Sequence, residues 1–291
     1  HTVFSMLFCL AGCATSPLDV GKGTAAAEAA GFVARNFNAG GFQLFALQRS
    51  GPDPGSILTV YIEGDGLAWR RKNQPSRDPT PRHSVALALA LQDPSPAVLY
   101  LARPCQFQPQ PIPPACDVSH WTSHRYGEKV IAAMDSAISE AAAGFKQVAL
   151  IGYSGGGSVA ALIASRRQDV AWMITVAANL DHQAWTELHG VSPLTGSLNA
   201  ADYARAVQMI PQVHLTGGRD KTVPVGITQS FMDRMSDQSM ARVKIEPEFD
   251  HDCCWEQRWP ELMESIAGPR PLRTSCPHAA FPTSCGSPAP V

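Results

Sequence analysis

The sequence predicts an α/β protein built on a doubly wound, mostly parallel sheet with helices on both faces. Three observations predict it. Short apolar, β-branched runs alternate with segments of helical periodicity between Phe42 and Ile266. The run Val148-Ala149-Leu150-Ile151 passes through Gly152-Tyr153-Ser154-Gly155-Gly156 into a small-residue helical segment, Ser158 to Ser165. Asp220 and His251 each follow a later predicted strand, on the edge where such sheets bind ligands.

The elements follow in order. Thr24 to Arg35 reads as a short helix and Phe42 to Leu47 as a first strand. Ile57 to Ile62 is nearly all apolar or β-branched, as a strand buried on both faces requires. Ser84 to Gln92 reads as a helix and Val98 to Leu101 as a strand. The stretch from Pro104 to Pro114 is too proline-rich to be regular. Arg125 to Ala143 is a helix with Val130, Ile131, Met134 and Ile138 on one face. Strands are expected at Trp172 to Val176, Val213 to Thr216 and Val243 to Ile245, the last reaching towards Phe249. Helices are expected at Val225 to Met235 and Glu256 to Ile266.

The N-terminal residues read as targeting rather than fold. Val3 to Leu10 is apolar but too short to span a bilayer as a helix. It ends in Leu10-Ala11-Gly12-Cys13, which resembles the lipobox of bacterial lipoprotein signal peptides. That resemblance implies cleavage before Cys13 and a lipid on it, so the expected partner is a membrane. The expected location is the cell envelope, and Ala14 in place of an aspartate favours the outer membrane facing the periplasm if the source is Gram-negative. Residues 1–12 are then signal peptide, 13–41 a lipid-anchored tether, 42–267 the folded domain and 268–291 a Pro/Ser-rich tail.

The cysteines agree with export. Setting aside Cys9 and Cys13 leaves Cys105, Cys116, Cys253, Cys254, Cys276 and Cys285, an even set that favours disulfides in an oxidising compartment. Cys105 with Cys116 would close the Pro-rich loop and Cys276 with Cys285 a loop in the tail, although sequence leaves the connectivity open. With 45% hydrophobic and 16% charged residues the chain is globular, and a net charge of −2 gives no nucleic-acid surface. Arg70-Arg71-Lys72, with Arg77 and Arg82, is a local basic run that reads first as a solvated loop. No nucleotide-binding fingerprint is present, and no cofactor is expected. His120 and His124 stand at metal-pair spacing, but no third ligand is evident, so no metal is expected.

A serine hydroxyl is a poor nucleophile near neutral pH and needs a base, which needs an orienting acid. Ser154, Asp220 and His251 lie in the order nucleophile, acid, base. With Gly217 to Pro224 around the acid and His251 after the last strand, the chain resembles the α/β-hydrolase superfamily over Phe42 to Ile266. That resemblance implies the α/β-hydrolase fold and an exported serine hydrolase acting on a small acyl substrate, most readily a carboxylic ester. In it Ser154 attacks, His251 carries the proton and Asp220 orients the imidazole. It also implies an oxyanion hole made by the Gly155 N–H and a donor from Glu63-Gly64-Asp65-Gly66, with the Asp65 N–H first in line. Glu63 stands where many family members carry histidine, so the side chains of Glu63 and Asp65 should point away or pair with Arg70, Arg71 or Arg103. Asp181 is the alternative acid, and Ser154 could be only a small residue in a tight turn. Trp69, Trp121, Trp185 and Tyr153 are candidate pocket walls. A catalytically silent binding lipoprotein and a serine peptidase are the competing functions.

Overall fold

The computed structural model describes residues 18–51, 56–71, 73–110 and 112–267. The segment read as a signal peptide, Cys13, Cys276 and Cys285 lie outside them. In chain order the elements are α1 (Leu18–Ala29), β1 (Val33–Ala39), β2 (Phe42–Ser50), β3 (Ile57–Ile62), β4 (Trp69–Arg71), β5 (Gln74–Pro75), α2 (Val85–Leu91), β6 (Ala97–Leu101) and α3 (Glu128–Ala141). Then come β7 (Gln147–Tyr153), α4 (Gly155–Ala164), β8 (Val170–Val176), α5 (His182–His189), α6 (Ala204–Val207), β9 (Gln212–Gly217), α7 (Val225–Met232), β10 (Ala241–Glu246) and α8 (Trp255–Ala267). Eight strands form one sheet in the order β1-β2-β6-β3-β7-β8-β9-β10. From β6 to β10 the neighbours are parallel, while β2 pairs antiparallel with β6 and β1 antiparallel with β2.

The expected doubly wound architecture is present, and strand alternation explains it. In β3, Leu58, Val60 and Ile62 point into a core shared with α3 and α4, while Tyr61 points into the opposite core with α2 and α8. Helix α3 buries Val130, Ile131, Met134 and Ile138, the stripe read from the sequence. On the other face Trp255 and Trp259 anchor α8, and the Trp259 indole donates to Tyr61 Oη at 3.3 Å. Pro260 lies inside α8 and cannot donate to the Glu256 carbonyl. The Gln92 amide takes that carbonyl instead, at 3.0 Å.

Several expectations are corrected. The helix read from Thr24 to Arg35 ends at Ala29, because Gly31 turns at φ +81° and Phe32 N–H folds back onto Ala27 O. The chain then enters β1, so part of the segment read as tether is an edge strand of the sheet. Helix α3 begins at Glu128 rather than Arg125, and α4 at Gly155 rather than Ser158. Helix α7 stops at Met232 rather than Met235. Strand β10 stops at Glu246, where Pro247 follows and Phe249 N–H turns back onto Glu246 O. The β4–β5 hairpin and α5 were not anticipated. Asp181 at the N-cap of α5 and Gly190 at φ +57° after it were the available signals.

Cys105 and Cys116 are joined, with Cα atoms 5.6 Å apart, and Cys253 is joined to Cys254. The first bridge closes a short loop, for which chain entropy gives about 3 kcal/mol. Cys105→Ser with Cys116→Ser should lower the unfolding free energy by that order in urea titrations, and an unchanged midpoint would show that the loop is held by other contacts.

His214 on β9 is fully buried between Thr175 Oγ1 at 2.8 Å and Gln212 Oε1 at 3.1 Å. Burial pushes its pKa from 6.5 down to about 4. The unfolded chain therefore binds a proton between those values that the folded chain refuses. This contribution is complete above pH 6.5 and is lost as pH falls towards 4, amounting to about 3 kcal/mol. In His214→Gln that part of the pH slope should vanish from urea unfolding measured across the interval.

Candidate active site

The site assembles at the C-terminal ends of the parallel strands. Strand β7 ends in Tyr153 and the chain reverses at Ser154, which is held at φ +51° and ψ −121°. A non-glycine residue in that region is strained. The Ser154 N–H donates to Val176 O at 2.9 Å, and helix α4 begins at the next residue. The turn works only because its glycines lack side chains. A Cβ on Gly152 would overlap the Gly156 carbonyl and lie 2.6 Å from Gly157 Cα. A Cβ on Gly155 would lie 2.5 Å from Asp65 Cγ and 2.8 Å from Tyr126 Oη.

Ser154, His251 and Asp220 meet in line. Ser154 Oγ lies 3.0 Å from His251 Nε2, and His251 Nδ1 lies 2.8 Å from Asp220 Oδ2. The Asp220 side chain is 0% exposed and His251 15%. Asp220 Oδ1 is occupied by the N–H groups of Thr222 and Val223, at 2.8 and 2.7 Å. Oδ2 is thus left for the imidazole, whose Nδ1 carries the proton and whose Nε2 accepts from serine. Tyr153 packs its ring against His251 with centroids 5.5 Å apart, and its hydroxyl donates to His251 O and Asp252 Oδ1 at 3.1 Å each. Burial, then the Asp252 charge, push the Tyr153 phenol far above its ordinary pKa, so it stays neutral. The Trp255 indole also donates to His251 O.

Asp181, the alternative acid, is committed elsewhere. Its oxygens accept from the N–H groups of Gln183 and Ala184, from Asn199 and Ser230, and from Arg234. Burial alone would raise its pKa, but these donors, Ser230 foremost, bring it below the ordinary value. Asp181 pins α5 to α7 rather than serving the imidazole. His120 and His124 are likewise engaged locally: His120 Nδ1 accepts the Asp117 N–H and His124 Nδ1 meets Ser123 Oγ. Among the described residues no group of three or more His, Cys, Asp or Glu is arranged to hold a metal ion.

The loop after β3 backs onto the elbow, with a Cβ on Gly64 reaching 3.3 Å from Ser154 Cβ. The expectation for its acidic side chains is met at Asp65, which pairs with Arg103, while Glu63 turns to other partners. Among the described residues Glu63 meets no arginine: it is buried, accepts the Gly64 N–H at 2.8 Å and Tyr100 Oη at 2.9 Å, and takes the Ser84 hydroxyl. Burial raises its pKa, with those hydrogen bonds opposing. Asp65 meets neither Arg70 nor Arg71, which are exposed. It pairs with Arg103 at 3.2 Å and Arg125 at 2.6 Å, and Tyr126 Oη donates to it at 3.1 Å. Burial would raise the Asp65 pKa, but Arg125 and Arg103 outweigh it and hold the carboxyl below its usual range. Sequence reasoning missed Arg125 because it stands at the head of a helical pattern. The N–H groups of Gly155 and Asp65 donate to no described residue.

Of the candidate wall aromatics, Trp121 is buried and donates to Ser76 O, Trp185 donates to Thr222 O at 2.6 Å, and Trp69 on β4 is 40% exposed. A cavity of about 580 Å³ lies along α5 and the loop behind it, lined by His182, Thr186, Val191, Leu194 and Ser197 among others.

No protein-family model and no curated protein matches the chain. Solved structures do. An esterase of Pyrococcus furiosus is 14% identical with a TM-score of 0.56, covering 83% of this chain and 91% of that one. An alpha/beta hydrolase from a Penicillium species is 13% identical with a TM-score of 0.56, covering 81% and 98%. The fold is the α/β-hydrolase fold. A serine hydrolase involved in carbazole degradation shares it at 18% identity and a TM-score of 0.52, covering 81% and 98%. Within the α/β-hydrolase fold, the turn after β7 presents Ser154, the loop after β9 presents Asp220 and the loop after β10 presents His251.

Proposed function

We propose that this chain is a serine hydrolase that cleaves a carboxylic ester through an acyl-enzyme. The observation that carries the reading is the unbroken relay from Ser154 Oγ to His251 Nε2 and from His251 Nδ1 to Asp220 Oδ2, at 3.0 and 2.8 Å. Ser154 Oγ attacks the acyl carbonyl carbon as His251 Nε2 takes its proton, and Asp220 stabilises the imidazolium. Negative charge gathers on the former carbonyl oxygen, where the N–H groups of Gly155 and Asp65 receive it. Collapse breaks the bond to the leaving alcohol, which departs with the proton from His251. Water then repeats the sequence on the acyl-enzyme, releasing the acid and restoring Ser154.

An esterase among the structural neighbours puts an ester first, and an acylaminoacyl peptidase of the same fold keeps a serine peptidase as the competing reading. The anchoring part of the reading is that Cys13 carries a lipid. Incorporation of labelled palmitate that disappears in Cys13→Ser supports it, and incorporation that survives the substitution sinks it.

A fluorophosphonate probe tests the hydrolase itself. Intact protein should gain one adduct, mapped by peptide mass spectrometry to the segment holding Ser154. An adduct elsewhere, or none at all alongside an inert panel of p-nitrophenyl esters, would leave a silent binding protein as the better account. Graded acyl chains in the same panel would report the substrate's size.

A further inference from the structure

An oxyanion donor acts only if its N–H is aimed beforehand, because turning a peptide during the reaction would consume the stabilisation it offers. The Asp65 N–H belongs to the peptide unit that carries the Gly64 carbonyl. In a trans peptide those two groups point in opposite directions. Whatever holds the carbonyl therefore aims the N–H.

The Gly64 carbonyl is held by one side chain. Gln106 Nε2 donates to it at 3.0 Å, and Gln106 Oε1 accepts the Arg103 N–H at 3.0 Å. Gln106 is 1% exposed, so its amide has no water to trade with. Its backbone is fixed from both sides. Cys105 stands at φ +71° and Phe107 at φ +55°, a region that non-glycine residues adopt only when the surroundings demand it. Cys105 is tied to Cys116, and the Phe107 N–H donates to Thr80 Oγ1 at 2.7 Å. The other end of the same unit is held through the Asp65 carboxylate, between Arg103, Arg125 and Tyr126. Arg103 joins the two anchors, since its guanidinium meets Asp65 and the Arg125 carbonyl while its N–H meets Gln106.

We propose that Gln106 is a positioning residue that aims the Asp65 N–H into the oxyanion hole, with the Arg103–Asp65–Arg125 cluster as its second anchor. This rests on the hydrolase reading above. It adds a residue that touches no reacting atom, on a loop that looks like structureless proline-rich connection in the sequence.

Gln106→Met keeps most of the volume and removes both hydrogen bonds. Its kcat on a p-nitrophenyl ester should fall by about 10- to 100-fold with KM nearly unchanged, the pattern of an interaction used only in the transition state. Affinity for an arylboronic acid, which forms a tetrahedral adduct on serine, should fall in step with kcat/KM. The pH-rate profile should keep its shape, since the His251–Asp220 pair is untouched. Tyr126→Phe loosens the other anchor and should lower kcat by about 3- to 10-fold with the same split. If Gln106→Met fails to fold, Gln106→Glu, which keeps the oxygen facing the Arg103 N–H and removes the donor to the Gly64 carbonyl, decides the matter by the same kcat loss. A folded Gln106→Met with wild-type kcat and boronate affinity overturns the proposal, as does a loss carried by KM alone. A wild-type protein without Ser154-dependent turnover instead removes the hydrolase reading, and the positioning role goes with it.

Discussion

Ser154→Ala should lower kcat on the best p-nitrophenyl ester by about 10³-fold or more. In the proposed mechanism the effect is large because Ser154 supplies the nucleophile. The Ser154 hydroxyl is the group within reach of His251 Nε2, at 3.0 Å. His251→Ala should cost about as much, and the double variant no more than either, since the two act as one unit. Asp220→Asn is the sharper test. The Thr222 and Val223 N–H groups both point at Asp220 Oδ1, so an asparagine would place its carbonyl oxygen there. Its NH₂ would then face His251 Nδ1, and two donors cannot share one hydrogen bond. The ring would have to move its proton to Nε2, the nitrogen that must accept from serine. A loss of about 10³- to 10⁴-fold in kcat with substrate binding preserved is expected. Loss of less than tenfold in Ser154→Ala would mean that hydrolysis runs through another group.

Gly152→Ala should destabilise the fold by about 3 kcal/mol or more, among the larger effects a single methyl can have. The clash is with backbone: a Cβ would overlap the Gly156 carbonyl and approach Gly157 Cα to 2.6 Å. No side chain can rotate away, so the first turn of α4 would have to lift off β7. Gly152 also pairs with Ile62 across the centre of the sheet, which leaves the strand no room to retreat. Ser154 sits on the hinge between that strand and that helix, so activity should fall together with stability. Gly226→Ala is the control. It lies inside α7 with nothing within 4 Å of a new Cβ, and a gain of about 0.5–1 kcal/mol is expected from helix propensity. Urea midpoints and soluble yield compare the two. A Gly152→Ala protein as stable as wild type would show that the turn tolerates displacement.

Much of this was legible in the chain itself. The strands at β3, β6 and β7 announce themselves because both faces are covered, so most of their residues are apolar or β-branched. The stripe of Val130, Ile131, Met134 and Ile138 marks α3 because one helix face packs and the other is wet. The edge strand β1 was missed because Val33 to Ala39 mixes arginine and asparagine with apolar residues, as a strand covered on one side allows. Short α5 was missed because eight residues give too few turns for periodicity, leaving only its caps as a signal. Around the site, the serine, the carboxylate and the imidazole could be read from their places after strands. The choice of acid was not legible there, because only the fold bonds Asp181 to Asn199, Ser230 and Arg234 and leaves Asp220 to the imidazole.

The sequence by itself determined the alternation of strand and helix, and through it the edge of the sheet to which Ser154, Asp220 and His251 are delivered. Periodicity and chain order carry that information locally, because a buried strand or a helix face depends on neighbours a few residues away. Only the tertiary structure decided the partners of the buried polar groups. Asp65 met Arg103 and Arg125, Glu63 met Ser84 and Tyr100, and Gln106 met the Gly64 carbonyl. Such pairings join residues tens of positions apart, and what selects them is the cost of leaving a donor or acceptor unmatched once water is gone, a cost that exists only after the chain has packed.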